Sequence, residues 1–146
     1  MSIEEIEARR AARRAEHDKA HAEQYAKDFE ALDKLEEEHG YERVLSVTLK
    51  GWRSGEGAAT MIVVRVPRAR EAIFKRFQQQ VNSNKAGAKQ KVEAAELLGS
   101  SCLLYPSKTD DPECHEATMD LAPGVLGHAA ALIVEAVQGE AEEEGK

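Results

Sequence analysis

The sequence predicts an α+β fold, mostly helical: a long N-terminal helix, a β-hairpin, then three to four packed helices and a disordered acidic tail. Three observations predict it. No glycine or proline interrupts the chain before Gly40. Two β-rich runs, "ERVLSVTLK" and "TMIVVRV", flank the glycine-bearing "GWRSGEGAA". Beyond Pro67 the apolar residues recur at helical rather than strand spacing.

Ser2 and Glu5 form an S-x-x-E capping box, so the first helix begins almost at the N-terminus. Ala, Glu, Arg and Lys dominate it, all strong helix formers. Tyr25, Phe29, Leu32 and Leu35 make a single stripe at spacings of four, three and three. The C-terminal half is therefore expected to dock, and the polar first half to stand in solvent. His39-Gly40 closes the helix.

In the first strand Leu45, Val47 and Leu49 alternate with Val44, Ser46, Thr48 and Lys50. The hairpin needs helices on a face or a further strand, because two strands alone are marginal in water. Pro67 ends the second strand and suits the first turn of a helix. That helix carries Ile73, Phe74, Phe77 and Val81 on one face. "VNSNKAGAK" is loop chemistry. A further helix is expected from about Lys89 to Leu98, lined by Val92, Ala95 and Leu98, with Gly99 just past its end. "SCLLY" is either a short extended segment or a last helical turn. Asp111-Pro112 leads into "ECHEATMDL", "APG" stops it, and the last helix carries Val125, Leu126, Leu132, Ile133 and Val137 up to Gly139. The domain organisation read from this is 1–40 as a partly solvated helical arm, 41–139 as the hairpin-plus-helices domain, and 140–146 as the acidic tail.

At 146 residues the chain fits one domain; aromatics are scarce at 5% and charged residues reach 32%. The net charge of −7 is segregated: −5 over residues 1–40, +6 over 41–100 and −8 over 101–146. Such a layout speaks to association rather than to fold. The longest apolar run is only a few residues, so no membrane span is expected. The charged "MSIEEIEARR" is unlike a secretory signal, and a cytoplasmic location follows.

Catalytic and metal signatures do not emerge. "GWRSGEG" lacks the Lys-Ser/Thr of a phosphate loop. There is neither a G-x-S-x-G elbow nor a cysteine–histidine nucleophile pattern. Cys114-His115 has no second ligand pair, and Cys102 reads as a small buried apolar residue. His17 and His21 share a helix face but sit among charged residues without a dry pocket, which favours a solvated face over a metal site. The expectation is a protein that is not an enzyme and takes no cofactor or metal.

The candidate partner-binding residues are Tyr25, Phe29, Trp52, Arg65, Arg68 and Arg70. The three arginines gather near a helix N-terminus, where cations oppose the helix dipole. They therefore require acidic company: Glu71, the protein's own carboxylate-rich ends, or a partner. A rival reading uses the basic stretch 65–91 to neutralise nucleic-acid phosphates, although no recognition-module signature accompanies it.

Taken in order, "YERVLSVTL", "VVRVPRAREAIFKRF", "CLLYPS" and "DLAPGVLGHAAALIVEAVQG" resemble the segments of tail-assembly-chaperone-like proteins of tailed bacteriophages. The resemblance covers residues 41–139; the first forty residues and the acidic tail lie outside it. It implies a non-enzymatic protein that binds tail-tube or tape-measure protein during virion assembly in the host cytoplasm, with self-association an alternative. A related implication is a minor tail or neck component retained in the virion.

Overall fold

The computed structural model describes residues 1–144. Five α-helices surround a small antiparallel sheet: α1 (Ile3–His39), β1 (Val44–Thr48), β2 (Met61–Arg65), α2 (Ala72–Asn82), α3 (Ala88–Cys102), β3 (Leu103–Tyr105), α4 (Pro112–Leu121) and α5 (Val125–Glu144). A 3-10 turn, Tyr41–Arg43, joins α1 to β1. The mostly helical α+β class, the long first helix and the hairpin are as the sequence predicts.

The sheet order is β1-β2-β3, with β2 in the middle. Val44 pairs with Arg65 and Thr48 with Met61. "SCLLY" supplies both expected alternatives: Ser100–Cys102 end α3, and Leu103–Tyr105 pair with β2. The third strand is what makes the hairpin viable.

Strand β2 is buried on both faces, as a central strand between two helical layers must be. Ile62 and Val64, with Val47 and Leu49, pack on Phe74, Leu98, Cys102, Ala129 and Ile133 of α2, α3 and α5. Met61, Val63 and Val44 face the other way, toward Leu32 and Leu35 of α1. The result is three layers: α1, the sheet, and the α2–α3–α5 group.

Four expectations need correction. Tyr25, Phe29, Leu32 and Leu35 are not one docked stripe; Leu32 and Leu35 dock, while Tyr25 and Phe29 stay 42% and 54% exposed. The buried residue at the centre of the docked face is Asp28. Gly99 does not end α3 but lies inside it, where a Cβ would come within 2.2 Å of the Leu126 carbonyl oxygen on α5. Glycine is required there for helix contact, not for a stop. Val92 points to solvent, and Ala94 and Leu98 carry the burial instead. Finally, α5 passes through Gly139 and runs to Glu144; the remainder of the expected disordered tail lies outside the described residues.

Candidate functional site

The candidate surface lies on α1, and the position of that helix depends on one buried acid. Asp28 accepts four hydrogen bonds: from the Thr60 amide (2.7 Å), the Thr60 hydroxyl (2.6 Å), the Gln24 amide group (2.9 Å) and the Tyr105 phenol. Thr60 precedes β2 and Tyr105 ends β3, so a single carboxyl group ties α1 to two strands. Among the described residues no basic side chain forms an ion pair with it. A half-buried leucine contributes about 1 kcal/mol, so Leu32 and Leu35 alone would hold the helix weakly. The polar bolt supplies direction and register as well as energy.

Burial pushes the Tyr105 phenol well above its ordinary range, and the Asp28 hydrogen bond and charge push it the same way. Alongside, Thr118 of α4 accepts from the Ala59 amide (2.9 Å) and donates to the Cys114 carbonyl (2.7 Å). This fixes α4 against the loop that leads into β2.

Toward the N-terminus a row of rings follows the i,i+4 spacing: His17, His21, Tyr25 and Phe29. Successive ring centroids lie 6.3, 6.4 and 5.7 Å apart and stack. Trp52, from the β1–β2 loop, sets its indole edge-on against His17 (5.5 Å) and His21 (5.3 Å). Its indole N–H donates to the Ala58 carbonyl (2.8 Å), and its own carbonyl accepts from His17 Nε2 (3.2 Å). That bond requires the proton on Nε2. Gly51, at φ +77°, adopts the left-handed turn that lets the loop fold back this far. The two histidines thus seat a tryptophan; they were read from sequence as a solvated face.

Trp52, expected as an exposed partner residue, is half-buried against that pair. Tyr25 and Phe29 remain open to solvent and form the exposed part of the row. Beyond His17, residues 1–16 are exposed throughout. Ile3 and Ile6 are among them, 74% and 40% exposed. On the β1 side of α1 lies a groove of about 600 Å³, lined by Leu32, Glu36, Tyr41, Glu42, Leu45 and Ala136, among others. Tyr41 at its rim is 77% exposed.

The arginine junction forms a separate patch. Arg65 donates to Glu71 (2.9 Å), and the other Glu71 oxygen accepts from the Arg68 amide. Burial alone would raise the Glu71 carboxyl; the Arg68 N–H, with the hydrogen bond and charge of Arg65, holds it below the usual carboxylate range. Of the three sources of acidic company considered, Glu71 is the one found. Arg68 and Arg70 project into solvent. The structure therefore divides the six predicted residues into Tyr25 and Phe29 on α1, Trp52 against His17 and His21, and the Arg65–Arg70 joint.

A second cleft, about 630 Å³, opens between α1 and α4 beside Gln24, Lys27, Tyr105, Asp111 and Cys114. Burial raises the Cys114 thiol, and the Thr118 hydrogen bond only partly opposes it. Burial raises Cys102 as well. Neither sulfur carries the depressed pKa of an activated nucleophile. No single helix among the described residues is long and apolar enough to cross a membrane. Comparison with family models, curated proteins and solved structures finds no match.

Sequence reasoning missed Asp28, His17 and His21 as structural parts of this surface. The i,i+4 recurrence of aromatic rings from His17 to Phe29 was the available signal. Asp28 had none, because a polar residue inside a polar helix carries no period.

Proposed function

We propose that this protein is a non-enzymatic, chaperone-like assembly factor of a tailed bacteriophage, binding tail-tube or tape-measure protein in the host cytoplasm while the virion is built. The observation that carries the reading is the exposed Tyr25–Phe29 row on the stretch of α1 that Asp28, Leu32 and Leu35 anchor. A helix bolted down by a buried acid, yet presenting stacked aromatics to water, suits a helix-in-groove or helix-on-strand contact. A few residues carry most of the binding energy at such surfaces, and tyrosine is enriched among them. The ordered resemblance over residues 41–139 supplies the partner class.

The pairing of Arg65 with Glu71 assigns that arginine a structural role, so Tyr25 and Phe29 bear the contact and Arg68 and Arg70 form a charged rim. Retention in the virion as a minor tail or neck component uses the same surface. Co-expression with the tail-tube or tape-measure protein tests the reading: the partner's soluble fraction rises with this chain present. An unchanged soluble fraction for both partners sinks it.

A further inference from the structure

The sheet has two edges, and they are not alike. Strand β3 is three residues long, meets β2 through a register shift at Val63/Val64, and runs straight into Pro106. A short, irregular edge closed by a proline resists further pairing. Strand β1 has five residues in unbroken register. Just beyond its ends, the Leu49 amide donates to the Thr60 carbonyl (2.9 Å), and the Arg43 carbonyl accepts from the Val66 amide (2.8 Å). Hydrogen-bonded and non-bonded pairs alternate along an antiparallel ladder. The odd-numbered residues of β1 therefore bond to β2, and the N–H and C=O groups of Ser46 and Thr48 face away from it. Both residues are exposed, and among the described residues their outward groups find no main-chain partner.

The groove beside β1 runs between α1 and α5. Val44 packs on the α1 side with Leu32, so by alternation Ser46 faces that side too. Leu45 lies on the α5 side with Ala136. The α1 wall carries Glu36, the α5 wall is small at Ala136 and Gly139, and Glu42 stands at one end beside Tyr41. Glu140 is paired with Arg43. Glu36 and Glu42 have no cationic partner among the described residues, and no lysine or arginine lines the groove.

We propose that the β1 edge takes an extended, basic segment of a partner protein as a fourth strand. Its alternate residues are cationic toward Glu36 and apolar toward Ala136 and Gly139. Main-chain bonds to Ser46 and Thr48 fix the register, and the two walls select the side chains. A second copy of this chain fits less well. Two-fold pairing of two β1 edges sets the α1 wall of one copy toward the α1 wall of the other, Glu36 toward Glu36. The site is a different surface from the Tyr25–Phe29 row and does not rest on the assembly-factor reading; no tail protein enters its test, so the two ideas fail separately.

The probe is a seven-residue peptide of alternating lysine and valine, blocked at both ends and titrated into the full chain. Binding is expected to slow amide hydrogen exchange at Ser46 and Thr48, read by NMR. The matching peptide of alternating glutamate and valine does not bind. Methylating every lysine amide in one peptide and every valine amide in another blocks only the set of amides that faces β1, so one methylated peptide binds and the other does not. In the protein, Ser46→Pro removes an outward N–H without touching the β2 ladder and abolishes binding. Glu36→Gln together with Glu42→Gln weakens binding about tenfold, the size expected for two exposed ion pairs. Circular dichroism checks the fold of each variant, and the methylated peptides decide the matter on wild type alone.

Absence of protection at Ser46 and Thr48, equal binding of the two methylated peptides, or equal binding of the lysine and glutamate peptides overturns the inference. So does a wild type that runs at twice the 16.1 kDa chain mass by light scattering and returns to the single mass in Ser46→Pro, because a second copy then occupies the edge.

Discussion

The phenol of Tyr105 donates to the carboxyl group of Asp28, 77 residues earlier in the chain, and so joins the last strand to the first helix. The same carboxyl group receives the Thr60 amide and hydroxyl. One polar centre thus joins three elements that also share the apolar cluster of Met61, Val63, Leu32, Leu35 and Leu104. Everything presented on α1 is oriented by it.

Replacing Asp28 by alanine leaves the Thr60 amide, the Thr60 hydroxyl and the Tyr105 phenol without their acceptor. A loss of roughly 2–4 kcal/mol is expected for such an orphaned set. Urea unfolding measures it, with Phe29→Ser as the control that changes stability by less than about 0.5 kcal/mol. Equal losses for the two variants would remove the anchoring role assigned to Asp28.

The Tyr105 phenol is raised above its ordinary value of 10.0 by burial and by Asp28. The folded state therefore keeps a proton that the unfolded state releases. Stability is full below about pH 10 and falls as pH rises beyond it. In Tyr105→Phe this alkaline slope is reduced, although the variant starts less stable because a donor to Asp28 is gone. A slope identical to wild type would contradict the assignment.

Glu71 titrates with the opposite sign. Its folded pKa lies below the ordinary 4.5, so its contribution is present above that pH and is lost as pH falls through the depressed value. Glu71→Gln flattens the acid limb of the stability curve, and Arg65→Met reproduces part of the flattening. The effect is small, because the pair is about one-third exposed. An acid limb unaffected by both changes would mean that the junction is not held by this pair.

Gly99→Ala drives a methyl group into the Leu126 carbonyl. Overpacking of this kind costs about 1–3 kcal/mol, against the slight gain that alanine brings to an open helix position. Thermal unfolding decides the sign: a lower midpoint is expected, and a higher one would show that α3 and α5 can separate cheaply.

These cases also show what the sequence could and could not reveal. The hairpin was legible in two β-rich runs across a glycine-bearing loop; its register was not, because Met61–Val64 of β2 are apolar and buried on both faces. The caps were legible too: the Ser2 side chain accepts from the Glu5 amide, and Asp111 from the Cys114 amide. That the C-terminal half of α1 docks was legible in Leu32 and Leu35; the centre of the dock was not, since it is an aspartate whose partners come from β3 and the approach to β2. Gly99 was misread because glycine serves both helix ends and close helix contacts, and only the position of α5 distinguishes them. The aromatic surface was half-legible: Tyr25 and Phe29 were named, but the rings that extend the row are histidines, read as solvated.

The exposed ring row of α1 is proposed to take a tail protein. A pull-down with the full chain from cells making all the phage tail proteins tests it most directly, with Phe29→Ser in parallel. Wild type is expected to retain tail-tube or tape-measure protein, and Phe29→Ser to lose it or retain far less. Recovery of neither protein by wild type, or equal recovery by both chains, would contradict it.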